Sequence, residues 1–273
     1  VEYLHRDTRV DEAEERLVRV IRDVRVATDR ELKVRLERDF FPWVTSRALE
    51  RLLRKGVIQK IGYPGRPSRS GGTEAFYVEA GTSYDEVQDL VRRKRCIANT
   101  LRDLLTGVSE PATHAENLFY DAFIRLGFTV HGRDVTEFRG RKAQGVAGRE
   151  PPNIDFVIER DGLIYGVDIK NWIRYEYDSR NEIENKVRVA LSLRTVPWII
   201  ARYIDKDTIY TTVHGNKGVA YPYGTLLLPY SLRSLAQDAA SLLGYPVLAV
   251  DALPQYKVEW MEKLHQDRCR IRR

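Results

Sequence analysis

Apolar and polar positions alternate along this chain with two periods. In DEAEERLVRVIRDVR (11–25), Leu17, Val20 and Ile21 fall on one helical face, and residues 28–38 (TDRELKVRLER) read as a second helix capped by Thr28 or Asp29. A third helix is expected over 44–55 (VTSRALERLLRK), ended by Gly56. VIQKIGY (57–63) and EAFYVEA (74–80) then have strand composition, separated by the turn-rich PGRPSRSGGT. Residues 83–106 carry the stripe Val87, Leu90, Val91, Ile97, Leu101 and Leu105 of a long helix. The pattern beyond it predicts helix 112–126, a strand near 127–138, a loop over 139–152, strands 154–159 and 163–170, helix 178–194 and strand 196–204. A hairpin around HGNKG (214–218), a helix at 231–243, a strand at 246–250 and a basic tail are expected to complete the chain.

At 273 residues the chain exceeds the usual length of one domain. The expected division is residues 1–82, a connecting helix over 83–108, and a second domain over 109–273. Composition fits a globular protein, with 43% hydrophobic and 31% charged residues, and no apolar run is long enough to span a bilayer, so no membrane partner is expected. Cys96 and Cys269 form neither a disulfide framework nor a zinc spacing, and the start of the chain lacks signal-peptide character; the expected location is the cytoplasm. A net charge of +6 and a pI near 9.2 suggest a polyanionic partner.

Three helices followed by a strand pair over roughly residues 8–82 resemble a winged helix-turn-helix. The charges accord with it. Arg47, Arg51, Arg54 and Lys55 lie on or at the end of the third helix, Lys60 starts the hairpin, and Arg66 and Arg69 occupy its tip. A recognition helix and wing would use such positions on DNA phosphates and groove edges, although a winged domain can also serve protein contacts.

The chemistry is carried by PNIDFVIERDGLIYGVDIKNW. Asp155, Asp168 and Lys170 interrupt two apolar runs that should be buried, and charge in such a strand calls for a partner or a metal. Period-two alternation points Asp168 and Lys170 the same way, and the turn at Arg160-Asp161-Gly162 folds Asp155 back beside Asp168. Two adjacent carboxylates call for a cation, and oxygen-only ligands favour Mg2+ or Mn2+.

Asp155, twelve residues, then Asp168-Ile169-Lys170 resembles the PD-(D/E)xK nuclease superfamily, as does the α-β-β-β-α-β order over about residues 110–204. Ile154 stands where the name-giving proline would be. The resemblance implies a restriction endonuclease-like α/β core, a mixed central sheet flanked by helices, and a metal site of Asp155 and Asp168 joined by Glu116 from the first core helix. Thr113-His114-Ala115-Glu116 is equally a capping box, which would make Glu116 a helix cap instead. Lys170 would stabilise charge in the transition state. Glu182 and Lys186, one turn apart, either support the site or form a surface pair, and His114 and His131 read as structural or surface residues. Arg139, Arg141, Lys142 and Arg149 would grip backbone phosphate unless their loop is unordered. The expected function is a divalent-metal-dependent DNA endonuclease acting on double-stranded or branched DNA. A nuclease resembling Holliday junction resolvases and an inactive DNA-binding regulator are the alternatives. A double-strand break would call for two active sites and hence a homodimer, although no stretch declares an interface.

Overall fold

The computed structural model describes residues 2–61, 75–105, 110–145, 152–174 and 177–272. The chain divides into two compact units, Val1–Asp103 with Gln237–Tyr245, and Leu104–Ala236 with Pro246–Arg273.

In the first unit α1 (Glu2–Val24) buries Val10, Ala13, Leu17 and Ile21 on one stripe. A two-residue strand, β1 (Ala27–Thr28), precedes α2 (Asp29–Leu36), whose start is capped as expected: Thr28 Oγ1 accepts from Glu31 N at 3.0 Å. α3 (Pro42–Arg54) opens with proline at its first turn and sets Val44, Ala48, Leu49 and Leu52 against the α1 stripe; Gly56 follows with φ 65°. β2 (Ile58–Ile61) and β3 (Phe76–Glu79) pair antiparallel, and β3 also pairs with β1.

α4 (Tyr84–Leu105), expected as the connector, lays Val87 and Val91 against Val26, Ile61, Phe76 and Val78 of this unit. Its Lys94 is almost fully buried. The ammonium donates to both carboxylate oxygens of Glu31, at 2.8 and 2.9 Å, and to the carbonyl of Val26 at 2.6 Å. Burial lowers the affinity of Lys94 for its proton and raises that of Glu31, and the pair is compensated by its own bonds together with Arg35, which donates to Glu31 Oε1 at 3.1 Å.

The second unit is mixed α/β. It begins with α5 (Glu110–Arg125), two residues earlier than the apolar pattern implied, followed by β4 (Thr129–Val135) and a short ladder of β5 (Glu137–Phe138) with β6 (Arg141–Lys142). β7 (Ile154–Arg160) and β8 (Leu163–Lys170) form the expected hairpin. Asp161 and Gly162 take φ of 52° and 70°, the two left-handed residues of a tight two-residue turn. α6 (Tyr177–Ser192) and β9 (Val196–Ala201) follow.

In place of the hairpin expected around 214–218, a π-helical turn (Thr208–Val213) and a 3-10 turn (His214–Asn216) lead to β10 (Val219–Pro222), which lies parallel to β9. A parallel neighbour needs a crossover, and these turns supply it. β11 (Leu226–Leu228) and β12 (Val247–Ala249) pair in parallel across α7 (Arg233–Asp238), which runs on into a π-helical turn, Ala239–Leu243. The expected basic tail is a helix, α8 (Gln255–Arg272), whose Val258 and Met261 enter the core.

Five of these strands form one sheet in the order β10-β9-β8-β7-β4, parallel on the β9 side and antiparallel on the β7 side. α5 covers one face with Ala115, Leu118, Phe119, Ala122 and Phe123 against Phe156, Ile158, Tyr165, Val167 and Trp198. α6 covers the other through Ile183, Val187, Val189, Ala190 and Leu193. Among the described residues no helix is long and apolar enough to cross a membrane.

Candidate active site

The β7–β8 register pairs Phe156 with Val167, which sets Asp155 across from Asp168 one step further from the turn. Phe156 and Val167 turn into the α5 face, so Asp155, Asp168 and Lys170 project toward α6. Asp168 is fully buried. Lys170 Nζ stands 3.3 Å from its Oδ2, and Lys186 Nζ, reaching down from α6, stands 3.1 Å from its Oδ1. Neither ammonium is aligned to donate a hydrogen bond, and both oxygens of Asp168 lack a hydrogen-bond partner among the described residues. A buried carboxylate that keeps its lone pairs in this way is suited to a cation.

Each lysine has its hydrogen bonds elsewhere. Lys170 reaches Glu182 Oε1 at 2.8 Å, and Lys186 donates to the carbonyl and Oδ1 of Asn153 at 3.0 and 2.9 Å. Asp155 Oδ2 accepts from the backbone N–H of Ile169 at 2.6 Å, which ties the first strand's carboxylate to the second strand. Burial first, and then the charge of Asp168, push the Asp155 carboxyl up to about 8 against the pull of Lys170 and Lys186. Burial also works against the Lys170 ammonium, but Asp168, Asp155 and Glu182 outweigh it and raise its proton affinity.

Glu116 is partly buried in the second turn of α5. Because that helix begins at Glu110, Thr113 is not its N-cap, and the capping-box reading of Glu116 fails on geometry. Burial, followed by the charge of Asp134, raises its carboxyl; Lys170 lowers it and Asp168 raises it, so the side chain lies within electrostatic reach of the hairpin cluster. Arg133, beside it on β4, is stacked 3.9 Å over the Tyr120 ring and donates to Asn117 Oδ1 at 3.0 Å.

Two features hold the cluster in shape. Gly166 of β8 admits α6 closely: a Cβ there would lie 2.4 Å from Thr195 Oγ1 and 2.9 Å from Ala190 Cβ. Asn171, next to Lys170, locks the strand end by donating to Leu227 O at 2.7 Å and accepting from Leu227 N and Tyr223 Oη at 2.9 and 2.8 Å. Asn153, Asn171 and Lys186 therefore matter more than the sequence reading allowed. Lys186 and Glu182 had only their helical spacing to signal a role, while the two asparagines carried no signal.

A second set of donor atoms, Asp161, His265 and Cys269, lies at the turn end of the hairpin. Asp161 accepts from His265 Nε2 at 2.9 Å, leaving Nδ1 to accept from Tyr165 Oη at 2.9 Å. In that tautomer the imidazole has no lone pair to spare, and the set is a closed hydrogen-bond relay docking α8. His114 and His131 are structural ties, His114 to the Val250 carbonyl at 2.7 Å and His131 to Glu159 at 2.8 Å.

On α3 the exposed stripe is Trp43, Arg47, Glu50 and Arg54. Arg51 and Lys55 turn toward α1 instead. Arg51 pairs with Asp11 at 2.7 Å and Glu14 at 2.6 Å, and Lys55 pairs with Glu14. Lys60 is exposed, with its ammonium 5.7 Å from the centre of the Tyr77 ring. Arg66, Arg69 and Arg149 lie outside the described residues. Of the remaining loop cations, Arg139 pairs with Glu159 at 3.3 Å, while Arg141 and Lys142 belong to β6. A scan against protein-family models, a search of curated proteins and a search of solved structures each return no match.

Proposed function

We propose that this chain is a divalent-metal-dependent endonuclease of the PD-(D/E)xK type that hydrolyses phosphodiester bonds in DNA, with the first unit acting as a winged helix that engages the duplex. The observation that carries the reading is the placement of Asp155 and Asp168 side by side with Lys170, with the lone pairs of buried Asp168 left open. Asp155 and Asp168, with Glu116 from α5, are the residues that would hold Mg2+ or Mn2+. When bound, such an ion polarises the scissile phosphate and lowers the pKa of an attacking water.

The chain's own side chains account for the rest. Lys170, kept charged by three carboxylates, is a cation positioned to stabilise developing negative charge on phosphate oxygens. Glu182 holds its ammonium in place, and the Ile169 N–H fixes the orientation of Asp155. Arg47, Arg54 and Lys60 are exposed cations of α3 and β2 for DNA phosphates, and Arg51 and Lys55 also pair with α1.

The test is a cleavage panel of linear duplex, single strand, flap and four-way junction with and without magnesium. Metal-dependent cutting of DNA, lost in Asp168→Ala and Lys170→Ala, is the expected result. Cutting confined to the junction would redefine the substrate as a branch. Tight DNA binding without cleavage of any member would replace the enzyme reading by a DNA-binding regulator.

A further inference from the structure

The close approach of α6 at Gly166 brings an unexpected cation into the carboxylate pair. Lys186 Nζ lies 3.1 Å from Asp168 Oδ1, and its side chain is 13% exposed. It is no partner in a solvated i,i+4 pair on the helix surface: Glu182 reaches to Lys170, and Lys186 reaches to Asp168 and Asn153. The hydrogen bonds of Lys186 go to the carbonyl and side-chain amide of Asn153, which are both neutral. Its charge, by contrast, is spent on Asp168. The ammonium is thus held from behind by neutral acceptors while it faces an oxygen whose lone pairs are not used in hydrogen bonds.

We propose that Lys186 is a resident counter-ion of the site. In the metal-free protein it neutralises Asp168 and allows two adjacent carboxylates to persist in a dry environment. A divalent ion on Asp168 Oδ1 must share that oxygen with this ammonium or displace it, and one on Oδ2 still meets the ammonium's charge a few ångströms away, so Lys186 competes with metal and lowers its affinity. Asn153 is the acceptor that retains the ammonium when Asp168 is taken up by metal. This inference rests on the metal-dependent reading above, and it makes Lys186 a positioning residue, distinct from Lys170.

The experiment is a calorimetric titration of Mn2+ into the full chain, for the parent, Lys186→Met, Lys186→Gln, Lys186→Arg and Asp168→Asn. Lys186→Met and Lys186→Gln remove the charge and should bind Mn2+ tighter by roughly tenfold or more, the scale expected when one charge a few ångströms away is deleted. Lys186→Arg keeps the charge and should stay near the parent, and Asp168→Asn should lose the binding event. Hydrogen exchange at β8 in EDTA should show the neutral variants less stable than the parent and regaining more stability on addition of Mn2+. If Lys186→Met fails to fold, Lys186→Gln, whose amide can still reach Asn153, carries the test. Unchanged or weaker Mn2+ binding in a folded neutral variant, with binding intact in the parent, overturns the counter-ion role alone. A parent that binds no Mn2+ overturns the metal-dependent reading and this inference together.

Discussion

Replacing Asp168 by alanine removes one carboxylate from between two ammoniums, and its surroundings bound the cost. Asp168 is fully buried, with Lys186 at 3.1 Å and Lys170 at 3.3 Å. Deleting one partner of a buried ion pair costs about 3–5 kcal/mol, because the other charge is stranded. Three features reduce that figure here. Lys170 keeps Glu182 at 2.8 Å, and Lys186 keeps both hydrogen bonds to Asn153. Asp155, whose carboxyl is held up by burial and next by Asp168 itself, ionises more readily once that neighbour is gone and supplies replacement charge. A net loss of about 1–3 kcal/mol in metal-free protein is therefore expected. Magnesium at one hundred times its dissociation constant should stabilise the parent by a further ~2.7 kcal/mol and the variant by nothing, so the gap widens with metal as cleavage disappears. Because the chain has two units, a single melting curve is ambiguous. Hydrogen exchange at β8, including the Ile169 amide bonded to Asp155, reads the relevant unit directly. A variant as stable as the parent in EDTA would show that the lysines do not compensate Asp168, and full magnesium stabilisation of the variant would place the metal elsewhere.

Glu116→Gln, already relieved of any capping duty by the helix start at Glu110, should leave circular dichroism unchanged while weakening Mn2+ binding and cleavage by about tenfold or more; equal activity would leave Asp155 and Asp168 as the only carboxylates of the site. Arg47→Ala with Arg54→Ala should weaken duplex binding and flatten its salt dependence by up to ~0.9 log unit per lost phosphate contact, whereas Arg51→Ala should mainly lower the stability of the first unit through its lost pairs to Asp11 and Glu14. The opposite pattern in binding and melting would mean that a different face of α3 meets DNA. Gly166→Ala should push α6 off β8 and cost about 1–3 kcal/mol in a denaturant titration; an unchanged variant would show that Ala190 and Thr195 can yield.

Local rules were enough for much of the fold. Thr28 capped its helix because the hydroxyl and the N–H of Glu31 are three residues apart in one turn, and the Asp161-Gly162 turn closed because both residues tolerate positive φ. Long-range arrangement was less accessible. The approach to β10 carries Gly215 and Gly218 on either side of Lys217, a signal that suits a hairpin, yet β10 runs parallel to β9 because Val219 and Tyr221 add to the core on the α5 face. The apolar stripe of α4 was plain in the sequence, but its buried Lys94 was not, since a lysine four residues from Leu90 looks solvated until Glu31 is placed beneath it.

The site divides along the same line. Asp155, Asp168 and Lys170 were legible because charge breaks an apolar strand, and the hairpin's two-residue period dictates that all three face one way. Their partners come from elements whose position depends on packing. Lys186 reaches Asp168 and Glu182 reaches Lys170 because the missing Cβ of Gly166 lets α6 settle onto β8, and a glycine within a strand reads in isolation as a weakness. Asn153 acts by accepting from Lys186 of α6 and Asn171 by bonding the backbone of β11, so nothing in their immediate sequence marks them. The consequence bears on stability. A lone Asp168 in an apolar strand would be an expensive residue whose loss stabilises the fold; between two lysines it is a residue whose loss costs stability. The sign of that single substitution measures how far the packing of α6, rather than the strand itself, makes the carboxylate pair tolerable.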